Sequence, residues 1–162
     1  INIQGDEPLI DPDDIGRVAS HLRSHPDDPI VTLAADALPG DLDSPSVVKV
    51  VLDREGYALY FSRAPIPFPR LPGGASPLRH LGIYGYQKTA LLELAALPQT
   101  PLEKSESLEQ LRALENRLSI KVLTGAKPSW GVDTPEDAAE VDARIRQEMA
   151  EAADATERGA QR

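Results

Sequence analysis

The chain has 162 residues, 41% of them hydrophobic and 27% charged, which suits one soluble globular domain with a sizeable core. A net charge of −9 argues against a nucleic-acid partner, which demands a basic face, and no apolar run approaches the roughly 20 residues that span a bilayer. The lack of cysteine excludes disulfides, thiolate catalysis and Cys-based zinc sites, and it fits a cytoplasmic protein.

Ile1 to Gln4 reads as the end of a buried strand that enters the turn Gly5-Asp6-Glu7-Pro8. No Met and no leader-like segment stands before it, so the reading expects no signal peptide and a piece of a longer protein. Asp11 then predicts a helix N-cap with Pro12 at the first helical position. Ile15, Val18, Ala19 and Leu22 fall at helical spacing, and His25-Pro26 ends the helix. Ile30 to Ala34 is an apolar run of buried-strand length. Val47 to Leu52 and Tyr57 to Ser62 flank Asp53-Arg54-Glu55-Gly56 and predict a hairpin. Ala64 to Pro77 carries Pro65, Pro67, Pro69, Pro72 and Pro77 with Gly73-Gly74, and predicts an irregular loop with a functional or interface role.

Arg79 to Tyr86 predicts another strand, and Thr89 to Leu97 a helix. Thr100-Pro101-Leu102-Glu103 has capping-box order and predicts a helix with Leu108, Leu111, Leu114 and Leu118 on one face. Ser119 to Thr124 predicts a strand. Thr134-Pro135-Glu136-Asp137 repeats the capping arrangement before a last helix whose inward stripe is Ala138, Val141, Ile145 and Met149. From Asp133 onward nine acids stand against four arginines, an acidic surface that serves solubility. Elements alternate at both ends around a hairpin and proline-loop subdomain at about 46–86. This pattern predicts an α/β three-layer fold in one domain over 1–152, with a polar tail at 153–162.

Three segments could carry chemistry. Asp6 follows an apolar strand, where open α/β sheets bind ligands, and it reads either as a Mg²⁺-holding carboxylate or as part of a polar turn before Pro8. Thr134 and Asp137 have a sufficient role as caps, whereas Asp133 lies just outside the cap, free to complete a metal site with Asp6 or merely to be solvated. Strand alternation puts His80, Gly82, Tyr84 and Tyr86 on one face, and glycine there marks close approach of a ligand or another backbone. That face reads as a binding surface or as ordinary polar packing, and Arg63 as an anion partner or a surface arginine. His21 and His25 could resemble a metal pair, but nearby proline and the lack of a third ligand favour a solvated helix end. No P-loop, GxGxxG, GxSxG or HExxH motif occurs.

Taken in order, several segments resemble the 3-deoxy-manno-octulosonate (Kdo) cytidylyltransferase family. They are Gln4-Gly5-Asp6-Glu7-Pro8, Val48-Lys49-Val50-Val51, Gly56 to Arg63, Arg79 to Tyr86, Pro101-Leu102-Glu103, Leu108-Glu109-Gln110-Leu111-Arg112 and Gly131 to Asp137. The resemblance implies a nucleotide-diphospho-sugar transferase fold and a Mg²⁺-dependent transfer of CMP from CTP to Kdo for lipopolysaccharide synthesis. By motif, Asp6 and Asp133 would be the catalytic, metal-holding pair. Gln4, Arg63, His80, Tyr84, Glu109 and Gln110 would line the sugar-acid pocket, with Arg63 and His80 near the sugar carboxylate. The hairpin and proline loop resemble the region through which such proteins form homodimers.

Family members also carry a basic, glycine-containing loop that grips the CTP phosphates. This sequence lacks it, so the resemblance implies a C-terminal portion, incomplete at its N-terminus, with little turnover by itself. Gln87 stands where a basic residue is expected. Other readings are a cytidylyltransferase for 8-amino-Kdo or a sialic acid, and a non-catalytic remnant that serves as a dimerisation or binding module.

Overall fold

The computed structural model describes residues 1–5, 8–71, 73–127 and 131–132, and, further on, 135, 136, 138, 139, 141–143, 145–147 and 149. In chain order the elements are β1 (Asn2–Ile3), α1 (Pro12–Ser24), β2 (Ile30–Asp36), β3 (Lys49–Leu52), β4 (Ala58–Ser62) and β5 (Leu78–Tyr86). They continue with α2 (Lys88–Ala96), α3 (Pro101–Glu106), α4 (Gln110–Glu115) and β6 (Ile120–Leu123). The described residues between 135 and 149 are helical.

Local chemistry accounts for most of these boundaries. The Asp11 carboxylate accepts the Asp13 amide at 2.8 Å, and Pro12 opens α1, where its missing N–H costs nothing. The hairpin turns where the Asp53 carboxylate accepts the amides of Glu55 and Tyr57, with Gly56 at φ 83 supplying the left-handed residue.

The strands form one six-stranded sheet in the order β4-β3-β5-β2-β6. β2 and β6 are parallel, and the other pairs are antiparallel. Tyr84 pairs with Thr32 of β2 on one edge of β5 and with Asn2 of β1 on the other. β3 takes the same edge as β1 further along, at Leu78 and Arg79. The hairpin is therefore continuous with the main sheet through β5.

Helices cover both faces, as a three-layer α/β fold requires. Val18 of α1 packs on Val31, Leu33, Leu81 and Ile83. On the opposite face, Ala90 of α2 and Leu111 and Ala113 of α4 join Ile30, Val50, Phe61, Tyr84 and Ile120. Gly85 is the point of closest approach to α1. A Cβ there would stand 2.5 Å from Leu22 Cδ1, 2.7 Å from Val18 Cγ1 and 2.9 Å from Val31 Cγ1. Gly85, on the other face from His80 and Tyr84, thus leaves room for side chains of α1 and β2.

Three expectations need correction. Ile1 and Ile3, expected in a buried strand, are exposed, because β1 pairs only with β5 among the described residues. The helix expected to run from Thr100 past Leu108 is two short ones. Ser107 takes the left-handed conformation (φ 53), ends α3 and lets both Leu108 and Leu111 reach the core. The Glu103 carboxylate straps the pair together by accepting Arg112 Nε at 2.8 Å, and it also accepts the Thr100 amide at 3.1 Å. In the last helix Val141 is buried and Ile145 half-buried, but Ala138 and Met149 are exposed. Thr134 and Asp137, the expected caps, lie outside the described residues.

Candidate active site

The face of β5 toward α4 carries a run of rings. His80 and Tyr84 have ring centroids 5.2 Å apart, Tyr84 and Tyr86 are stacked at 5.9 Å, and Phe61 of β4 meets His80 edge-on at 5.1 Å. Register between β2 and β5 shifts at Thr32/Leu33, leaving Gly82 in the irregular stretch between His80 and Tyr84. The Gly82 carbonyl accepts the Gln4 amide at 2.9 Å, which ties the end of β1 to this point. The Gln4 side chain then reaches Glu109 Oε1 at 3.4 Å, just before α4. Gln4, His80, Tyr84 and Glu109 therefore gather on one side of the sheet. Gln110 turns into the protein and is buried, whereas Glu109 is exposed.

Tyr84 is the chemically unusual member. It is 1% exposed, yet its hydroxyl has no hydrogen-bond partner among the described residues. Leaving such a group unpaired costs about 1–3 kcal/mol, which a ligand acceptor or donor would recover. Burial, with Tyr86 and Glu109 nearby, raises its pKa well above the usual phenol value, so it remains a neutral donor. Tyr86 is pushed up to about 12, by burial first and then by Glu109.

His80 contributes no charge. Burial pushes its pKa down to about 3, and its Nε2 stands 2.8 Å from the hydroxyl of Thr32, a residue sequence reasoning missed. The only sign of Thr32 in the sequence is one polar residue inside the apolar run of β2.

Arg63 follows the end of β4 at the same level of the sheet. His80 donates its amide to Val48 O at 2.8 Å, and Lys49, the next residue, pairs with Ser62. The Arg63 guanidinium is anchored by Nε to Glu106 O at 3.0 Å and by one terminal nitrogen to Pro45 O at 2.9 Å. The Glu106 carboxylate accepts the Ser62 hydroxyl at 2.6 Å and the Arg63 amide at 3.0 Å. Burial alone would raise the Glu106 pKa, but these hydrogen bonds hold it below the usual carboxylate range. Beneath them Lys49 is 0% exposed, its ammonium donating to the carbonyls of Ser44, Val47 and Arg63. Burial lowers its pKa. Glu106 and the part played by Lys49 carry no local signal in the sequence.

Asp6 and Asp133, the expected catalytic and metal-holding pair, lie outside the described residues. Among the described residues no group of three or more His, Asp or Glu could hold a metal ion. His21 is engaged by Asp28 at 2.5 Å and stacked on His25 at 4.1 Å, so these two histidines form a helix-end network. Gln87, found in place of a basic residue, donates to Leu22 O at 2.9 Å and holds the end of α1. Among the described residues no helix is long and apolar enough to cross a membrane.

Residues 1–120 match the model of a family described as cytidylyltransferase. A relative from Syntrophotalea carbinolica, named 3-deoxy-manno-octulosonate cytidylyltransferase, is 49% identical over 156 residues, covering 90% of this chain and 62% of its own length. One of the same name from Chlorobium limicola is 50% identical over 142 residues, covering 85% of this chain and 57% of the relative. A solved structure described as CMP:2-keto-3-deoxy-manno-octonic acid synthetase complexed with CTP is similar with a TM-score of 0.84 and 40% identity. It is matched over 91% of this chain and 61% of that one. The chain thus spans about 60% of the length of the relatives it matches.

Proposed function

The chain belongs to the cytidylyltransferase family, and from that premise we propose that it forms the sugar-acid half of an enzyme that makes CMP-Kdo. In that reaction the anomeric hydroxyl oxygen of Kdo attacks the α-phosphorus of CTP and pyrophosphate leaves. The product serves lipopolysaccharide synthesis, and the nucleotide substrate assigns the reaction to the cytoplasm. The observation that carries this reading is the buried Tyr84 hydroxyl, unpartnered among the described residues, beside His80 and the Gln4–Glu109 pair. A polyhydroxylated acid offers the donors and acceptors such a lining lacks.

The residues divide the work by charge. Arg63 meets the carboxylate of the sugar acid, because its anchored guanidinium still has N–H groups to offer. His80, being neutral, reads a hydroxyl, as do Tyr84 and Gln4. Gln110, buried beneath, positions Glu109 and the start of α4. Asp6 and Asp133 are assigned to Mg²⁺. Two carboxylates are hard oxygen donors, and Mg²⁺ takes one or two of these together with phosphate oxygens, so the donor set fits. When bound, the ion would lower the repulsion between a triphosphate and a sugar acid.

Calorimetric titration of the chain with Kdo in the presence of Mg²⁺ tests this reading. Saturable binding of Kdo, tighter than that of sialic acid or 8-amino-Kdo, is expected. No binding of any sugar acid would remove the pocket, and preference for another acid would change the substrate.

The hairpin and proline loop are assigned to a homodimer contact. Leu59 of the hairpin and Phe68 and Leu71 of the loop are 61%, 81% and 76% exposed, apolar side chains that a second copy would cover. Light scattering is expected to give a dimer mass that Phe68→Asp converts to monomer. A monomeric unaltered chain would exclude this contact.

A further inference from the structure

Thr32 is completely buried in the middle of β2, paired across the sheet with Tyr84, and every other residue from Ile30 to Ala35 is apolar. A hydroxyl in that position has one proton and must use it well. Thr32 Oγ1 lies 2.6 Å from the Ile83 carbonyl, an atom that can only accept. The Thr32 proton therefore goes to Ile83, and at His80, 2.8 Å away on its other side, the same oxygen can only accept. That assigns the proton of the His80 ring to Nε2. Nδ1 is left without a proton, and no hydrogen bond reaches it among the described residues. The ring is braced from the sides by Phe61 and Tyr84, so it cannot easily turn to exchange its two nitrogens.

We propose that Thr32 is a positioning residue that fixes His80 as the Nε2-protonated tautomer, so that the bare Nδ1 accepts a hydrogen bond from a hydroxyl of the bound sugar acid. The inference rests on the reading of this face as a sugar-acid pocket and adds to it the direction of one hydrogen bond. Its consequence is selectivity. An acceptor at this point favours a ligand with a hydroxyl group and disfavours a carboxylate oxygen, whose lone pairs would face the Nδ1 lone pair. The sugar carboxylate is thereby directed to Arg63 and away from His80. Burial of the imidazole acts in the same direction, since it keeps a second proton off the ring at neutral pH.

Long-range ¹⁵N–¹H spectra of the full chain read the tautomer directly and need no ligand. His80 should show a protonated Nε2 and an unprotonated Nδ1, unchanged between about pH 5 and about pH 8, where an ordinary histidine titrates. Thr32→Val keeps the branched shape but removes the hydroxyl, and should abolish this single tautomer and weaken Kdo binding about tenfold. Thr32→Ser should restore both. A protonated Nδ1 in the unaltered chain would overturn the proposal without any variant. So would a Thr32→Val chain with the original tautomer and affinity. If the unaltered chain binds no Kdo, the sugar-acid reading fails, and the spectra still decide what Thr32 does to His80.

Discussion

Replacing Arg63 by methionine should weaken Kdo binding roughly a hundredfold, or about 2.8 kcal/mol at 1.4 per factor of ten. The size follows from where positive charge remains on this face. The Lys49 ammonium is committed to three carbonyls and His80 is neutral, so neither answers a sugar carboxylate. Arg63 has two of its N–H groups on Glu106 O and Pro45 O, which orient the guanidinium fork and leave its other donors for an anion. A charge-assisted, bidentate contact with little side-chain entropy left to lose accounts for an effect of this order. Arg63→Lys should recover only part of it, because a single ammonium cannot hold both carbonyls and still present a planar fork. Calorimetry measures the affinity, and a thermal melt measures the fold. A lowered melting temperature with unchanged affinity would make Arg63 a structural brace and remove it from the pocket.

Lys49→Ala should destabilise the fold by about 2–5 kcal/mol, a large share of the 5–15 kcal/mol that holds a domain of this kind together. The side chain is fully buried between β4 and β5, and its ammonium closes a cage made by Ser44 O, Val47 O and Arg63 O. Truncation leaves a cavity and removes the shared donor from three carbonyls. Lys49→Met fills most of the space but restores none of the hydrogen bonds, so it should recover only the cavity part. Urea denaturation midpoints would report both variants. A loss below about 1 kcal/mol for Lys49→Ala would mean that solvent reaches those carbonyls and that the cage does not hold the hairpin to the loop.

The two effects are connected through one residue. Lys49 holds the carbonyl of Arg63, and Glu106 holds its amide and its guanidinium. A lysine variant that still folds should therefore also bind Kdo less tightly, since the fork loses one of its supports. The buried cation and the half-buried one serve the same site at different depths.

Signals carried within a few residues were legible in the sequence. The Asp11 cap with Pro12, the Asp53–Gly56 turn and the one-sided ring face of β5 all depend on groups a short distance apart in the chain. The family was legible for a different reason, the order of several motifs along the chain. What the sequence could not supply are properties created by partners far away in it. His80 loses its charge by burial, and its tautomer is set by Thr32, 48 residues distant. The lysine at position 49 looks like any polar residue in a hairpin until the Arg63 carbonyl, across the hairpin, joins those of Ser44 and Val47 around it. The capping box at Thr100 starts α3 as its order predicts, but the break at Ser107 interrupts the leucine stripe, because the core gains both Leu108 and Leu111 when the chain turns there. Composition, caps and motif order thus determined the family and most elements. Only the tertiary structure decided which side chains are charged, neutral or caged, because charge state depends on desolvation and on long-range hydrogen-bond partners.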